Sequence, residues 1–192
     1  IEDGGVDIAD VLARAAGNSI GVAVNTALTT GSGSSQPNGI VTAAGTAVNG
    51  TVVGGFTADE VIDTLYSVDA AVRRLPGSGW LMAPSAIKTA RKLTDTAGNF
   101  VFQPSLAAAT PDTLLGFPVF ENPNMAAVGS AAASFGFGYL PSYKVRLAGG
   151  LRVDRSDDYK FANDLSVFRF MIRVDGDLSH QSHFKIYKGT AA

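Results

Sequence analysis

One stretch constrains this chain more than any other: VDIADVLARAAGNSIGVAVNTALTTG, residues 6–31. Apolar side chains at Ile8, Val11, Leu12, Ala15, Ala16, Ile20, Ala23, Val24, Ala27 and Leu28 recur at intervals of three and four, the period of an amphipathic α-helix. Asp7 is placed to cap the first turn, Asp10 lies where the helix dipole favours an anion, and Gly31 ends the pattern. About 22 residues at 1.5 Å each make a rod of roughly 33 Å. A rod of that length spans a subunit instead of hiding within it. Leu12, Ile20 and Leu28 are the residues expected to pack it.

The following stretch, TTGSGSSQPNGIV (residues 29–41), has the glycines and serines of a phosphate-cradling loop. Such a loop follows a strand, opens a helix and carries a lysine. Here the glycines follow a helix, no lysine is present, and Pro37 lacks an amide donor. The stretch therefore reads as a helix cap followed by a proline-fixed corner. Beyond it, residues 43–55 hold a short strand at Thr51–Val53. A single helix is predicted over residues 57–75, opened by a Thr57/Glu60 capping box, buried along Val61, Leu65, Val68 and Val72, and closed by Arg73 and Arg74. GWLMA reads as a buried strand with Trp80 and Met82 in the core, and Pro84-Ser85 starts another helix carrying Ile87, Ala90, Arg91 and Leu93.

TDTAGN (94–99) reads as a turn, and FVF, GFPVFE and SFGFGYL as strands. YKVRLAGGLRVDRS is predicted to form two short strands around Gly149-Gly150. In DLSVFRFMIRVDGDL both faces carry apolar residues, which predicts a strand covered on both sides with Arg169 and Arg173 reaching out, to ion pairs between subunits or lobes or equally to solvent. HFKIYKG is a short terminal strand.

No chemical constellation stands out. The chain has no cysteine, which excludes disulfides and thiolate metal sites, and no apolar run reaches the 18 residues of a membrane-spanning helix. The G-x-S-x-G elbow is absent. Asp177, His180 and His183 are spaced for one face of a helix, but the stretch leads into a strand, where residues three apart point oppositely. Asp175-Gly176-Asp177 lacks the further ligands of a calcium loop. Asp154, Asp157 and Asp158 read as a solvated loop, with a glycosidase-like pair as the remote alternative. No catalytic, cofactor-binding or metal residue is assigned.

Net charge is −2, and only 17% of residues are charged, which speaks against a nucleic-acid-binding surface and for a surface partly covered by other copies. Residues 1–72 carry eight acids and one base, Arg14, so oppositely signed lobes could meet head to tail. The chain opens at Ile1 without a signal pattern and reads as a piece of a longer protein.

The order of motifs is more specific than any one of them. A long helix runs into Gly31-Ser-Gly33-Ser-Ser-Gln36-Pro37-Asn-Gly39-Ile40. A capped acidic helix precedes Trp80-Leu-Met82-Ala-Pro84, followed by Arg91-Lys-Leu93-Thr-Asp95 and Gly98. Then come Leu114-Leu115-Gly116-Phe-Pro118-Val119, Phe135-Gly136, and Phe168-Arg169-Phe-Met-Ile-Arg173-Val-Asp175-Gly176. This succession resembles the major capsid protein of tailed bacteriophages, over nearly the whole chain.

The resemblance implies an α+β subunit of the Hong Kong 97-type capsid fold, with a long spine helix, a peripheral lobe and an axial lobe. Residues 1–50 would hold the spine helix and the first part of the peripheral lobe. Residues 51–144 would form the axial lobe, 145–178 the peripheral-lobe strands, and 179–192 a strand returning to the axial lobe. It implies a structural protein of the virion, assembled in the bacterial cytoplasm as pentamers and hexamers of itself around double-stranded DNA. That DNA is held without specific binding, behind a slightly acidic inner surface. No cofactor, membrane or small-molecule substrate is implied.

The sequence also departs from the family. In the family an N-terminal arm and an extended loop precede the spine helix; this sequence is expected to lack both, and small oligomers or monomers are expected in place of closed shells. Asp164 and Met171 stand where some members carry the asparagine and glutamate of a subunit cross-link, so self-crosslinking is not expected. Phe137 follows Phe135-Gly136 where an acid is usual. An encapsulin-type compartment shell shares the fold and is the alternative in the same class. A small hydrolase and a secreted binding module are the alternatives outside it.

Overall fold

The computed structural model describes residues 8–94, 102, 112–163 and 165–190. Apart from Thr94 and Phe102, the turn and strand expected over residues 94–102 lie outside these, as do Asp7 and Asp164. The order of elements is α1 (Ile8–Thr30), α2 (Ile40–Ala43), β1 (Gly45–Val53), α3 (Ala58–Tyr66), α4 (Ala70–Arg73), β2 (Ser78–Met82), α5 (Pro84–Ala90), β3 (Thr113–Leu114), β4 (Phe117–Glu121), β5 (Ala133–Tyr139), β6 (Tyr143–Lys160), β7 (Leu165–Leu178) and β8 (Phe184–Thr190). They form a six-stranded mixed sheet in the order β1-β8-β5-β2-β4-β3, and a separate two-stranded ribbon, β6-β7.

The core lies on the six-stranded sheet, and period-two patterning explains it. Cross-strand pairing puts Trp80 opposite Phe137, Met82 opposite Phe135, and Phe135 opposite Tyr187, so one face is aromatic. Phe135 stacks on Tyr187 at 4.5 Å between centroids, and Phe56 caps the pair at 4.8 Å from Phe135. Trp80 has no solvent exposure and donates its indole N–H to the Leu114 carbonyl at 2.9 Å, so its one polar atom is satisfied. On the opposite face Gly136 and Gly138 make room for Phe184 of β8. Phe135-Gly136-Phe137-Gly138 is therefore a large/small alternation within a central strand.

Four sequence expectations need correction. The helix expected over residues 57–75 is two helices. Ser67 ends the first by donating its hydroxyl to Thr64 O at 2.7 Å, and Asp69 caps the second by accepting from Ala71 N at 2.7 Å. Both are residues that compete for backbone groups, and they sit together at the break. The two short strands expected around Gly149-Gly150 are one 18-residue strand, bulged at that pair. The strand expected to be covered on both sides is β7 of the ribbon, where Phe168 and Met171 remain 40% and 36% exposed. Thr51–Val53 proves to be the end of a nine-residue strand.

Candidate assembly surfaces

The corner after α1 is built by backbone contact. Gly31 N–H donates to Ala27 O at 2.9 Å, and Gly39 N–H donates to Gly31 O at 3.0 Å, closing residues 31–39 into a knot. A Cβ at Gly31 would lie 2.2 Å from Pro37 O, and one at Gly39 would lie 2.5 Å from Gly31 N, so neither position has room for a side chain. The glycines serve geometry.

From this knot Asn38 reaches the base of the ribbon. Its amide N–H donates to Gly176 O at 2.9 Å, its Nδ2 donates to Asp177 Oδ1 at 2.9 Å, and its carbonyl accepts from the Tyr143 hydroxyl at 2.9 Å. Burial, with the carboxylates of Asp177 and Asp175 nearby, pushes the Tyr143 hydroxyl up to about 12, so it stays a donor. One turn before the knot, the Thr29 hydroxyl accepts from Asn122 Nδ2 at 2.8 Å, which ties the end of α1 to the segment after β4. The corner thus locks three bodies together: helix, sheet and ribbon.

The ribbon has two distinct faces. Lys144 opposes Asp177, Arg146 opposes Asp175, Ala148 opposes Arg173, Arg152 opposes Met171 and Asp154 opposes Arg169, all on one polar face. Val145, Leu147 and Val153 oppose Gly176, Val174 and Phe170 on the other, apolar face. Helix α1 lies over the β7 half of the apolar face. Leu28 approaches Gly176, and Ile20 borders a groove of about 600 Å³ with Phe170 and Ile172 of this face, which reaches Ala148 and Gly149 at the bulge. The β6 half is bare: Val145, Leu147, Leu151 and Val153 are 49%, 63%, 53% and 52% exposed. On α1 itself Ile20, Val24 and Leu28 are half-buried, while Val11, Leu12 and Val22 are exposed. Of the three packing residues expected from sequence, Ile20 and Leu28 face the ribbon and Leu12 faces solvent.

The expected arginines separate. Arg169 donates to Asp154 Oδ2 at 2.8 Å inside the ribbon, and Arg152 donates to Oδ1 of the same carboxylate at 2.8 Å. Those two hydrogen bonds hold the Asp154 carboxyl below its usual range. Arg173, like Arg146, has no ion pair among the described residues. Asp177 is engaged by Asn38, and His183 Nδ1 lies 3.1 Å from the Ser142 hydroxyl, with the His180 ring 4.7 Å away. No group of three metal-ligating side chains occurs among the described residues. Asp158 is exposed, and the Asp157 side chain lies outside the described residues.

Sequence reasoning missed Asn38, Asn122 and Tyr143. Their only signal was Asn-Gly at the corner and an aromatic at the start of β6. It also missed that Glu60, beyond its capping role, accepts from Thr51 N and the Thr51 hydroxyl at 2.8 and 3.0 Å, pinning α3 to β1.

A family model described as the phage capsid family matches residues 1–189. The chain belongs to the phage capsid family. Its function is that of a major capsid protein, and its α+β architecture is the Hong Kong 97-type capsid fold. The capsid chain of a native GTA particle is similar to this capsid protein at 28% identity and a TM-score of 0.84, over 99% of this chain and 68% of that one. The Mycobacterium phage Adephagia structure is 17% identical with a TM-score of 0.70, over 100% of this chain and 68% of that one. The SrpI encapsulin of Synechococcus elongatus is 14% identical with a TM-score of 0.72, over 97% and 67%, a likeness of fold alone. No curated protein matches this capsid protein in sequence.

Proposed function

We propose that this capsid protein is the shell subunit of a tailed-phage or prophage head, that it builds pentamers and hexamers around double-stranded DNA, and that its work is assembly without catalysis. The observation that carries this reading is the incomplete apolar face. A two-stranded ribbon is marginal by itself. Here α1 covers only the β7 half, and the β6 half faces solvent with four aliphatic side chains. A second copy that covers the bare half completes the ribbon, and interfaces of this obligate kind are large and apolar.

In this reading α1 is the spine helix, the six-stranded sheet with α3–α5 the axial lobe, and the ribbon part of the peripheral lobe. Arg146 and Arg173 on the polar face supply cations for pairs to neighbours. The net acidity of the chain keeps the enclosed DNA from sticking, and assembly takes place in the bacterial cytoplasm. The test is self-association measured by sedimentation velocity. The wild-type chain is expected to form reversible oligomers, and Leu147→Asp and Val22→Asp, both at exposed positions, are expected to leave a folded monomer. If both variants associate as the wild type does, the reading of these surfaces is wrong.

A further inference from the structure

Helix α3 turns Asp59, Ile62, Asp63 and Tyr66 outward, while Glu60, Val61, Thr64 and Leu65 are buried. The Arg73 guanidinium lies 4.4 Å over the Tyr66 ring, which carries the same stripe across the break into α4. There a cleft of about 650 Å³ opens between Tyr66, Arg73, Arg74, Leu75, Phe117 and Pro118. Its lining holds two guanidinium groups and no carboxylate. Arg73 is half-buried, and its Nε is buried without an acceptor among the described residues.

Neither Asp59, Asp63, Arg73 nor Arg74 forms an ion pair among the described residues, whereas Arg14, Arg91, Arg152 and Arg169 all do. Between the charged ends the surface is apolar: Ile62, Tyr66 and Leu75 are 38%, 64% and 40% exposed. The stripe is acidic at one end, apolar in the middle and basic at the other, and so is complementary to itself.

We propose that this stripe is a contact between two copies of the chain, with Asp59 and Asp63 of one facing Arg73 and Arg74 of the other. The proposal rests on the shell reading and names which face of α3–α4 two subunits share. A buried Nε–H without an acceptor is costly, and a carboxylate from outside satisfies it in a forked, charge-assisted pair. Asp59 and Asp63 are one helical turn apart, roughly 6 Å, which suits two adjacent arginines. Stacking on Tyr66 holds Arg73 in position before the partner arrives. A nucleic-acid strand is the poorer occupant, because its phosphates would run along the stripe into Asp59 and Asp63.

The test uses two charge-reversed full chains, Arg73→Glu/Arg74→Glu and Asp59→Lys/Asp63→Lys. Each alone sets like charge against like charge between copies, so association by sedimentation velocity is expected to weaken roughly tenfold or more. An equimolar mixture restores opposite charges at contacts between unlike chains and is expected to recover association well above that of either variant alone. Circular dichroism and thermal melting of each variant check that it folds. Recovery in the mixture is a readout that local misfolding would not give. If either variant associates as the wild type does, or if the mixture stays as weak as its components, the contact is refuted. Loss of the contact with association still abolished by Leu147→Asp would leave the shell reading standing. A wild-type chain that remains monomeric refutes the contact as well.

Discussion

Gly176→Ala should jam the junction on which the subunit's three bodies meet. A Cβ at this position would lie 2.6 Å from the Tyr143 hydroxyl and 2.9 Å from Leu28 Cδ2. Leu28 sits at the end of α1 and can rotate by a few tenths of an ångström. Tyr143 cannot yield as cheaply, because its hydroxyl donates to Asn38 O at 2.9 Å. To reach ordinary contact with the new methyl the hydroxyl must retreat by roughly 0.8 Å or more. That stretches the hydrogen bond beyond the range in which it counts as one. Overpacking costs about 1–3 kcal/mol and the lost bond about 1 kcal/mol, so a total of about 2–4 kcal/mol is expected.

Tyr143→Phe loses the same bond but also removes the obstructing oxygen. In the double variant the methyl therefore enters space already cleared, and the two costs should overlap by about 1–2 kcal/mol. The assay is urea unfolding of wild type, both single variants and the double variant, read by fluorescence and circular dichroism. Costs that add within about 0.5 kcal/mol would show that Tyr143 and Gly176 do not share this junction and would refute the account of the corner.

Two further outcomes follow from the same structure. Burial works to raise the Glu60 carboxyl, but hydrogen bonds from Thr57 N, Thr51 N and the two threonine hydroxyls outweigh it and hold the group below its ordinary value. A lowered folded-state value stabilises the fold above the carboxylate range and is lost as pH falls through it. Glu60→Gln should therefore cost roughly 1–3 kcal/mol at neutral pH and flatten the acid limb, with the two stability curves converging at low pH. Parallel curves in the melting temperature against pH would exclude the carboxylate as the cause. Gly149→Ala should cost about 1–2 kcal/mol for the left-handed conformation alone, since φ is +81° and a Cβ there meets nothing within 4 Å. Hydrogen exchange is expected to accelerate along β6 and β7 and to stay unchanged in β2, β5 and β8. Equal acceleration in the central sheet would contradict a ribbon that opens on its own.

What was legible in the sequence tracks how local the cause is. The capping box of α3 was readable because Thr57 and Glu60 are three residues apart and settle the helix start between them. The 3.6-residue period of α1 and the inward Trp80 and Met82 were readable for the same reason. The break at Ser67–Asp69 was hidden because Val68, at 1% exposure, continues the apolar stripe across it. The junction joins Asn38 to Tyr143 and Gly176, both more than 100 residues further along the chain, and the ladder of alternating ribbon faces depends on a register that only pairing fixes. The candidate assembly surfaces were half legible. Sequence marked the spine helix as apolar, but which half of the ribbon it leaves bare depends on three-dimensional packing.

Between the Ala148–Arg173 and Arg152–Met171 pairs, β6 spends four residues where β7 spends two. The excess is two, an even number, so Leu147 before the bulge and Val153 after it still point the same way. A single added or deleted residue would turn the outer half of β6 inside out, exchanging Arg152 and Asp154 for Val153 on the apolar side. Length changes in this arm of the subunit should therefore be tolerated in pairs, and a lattice built from it can bend the arm without rewriting its chemistry.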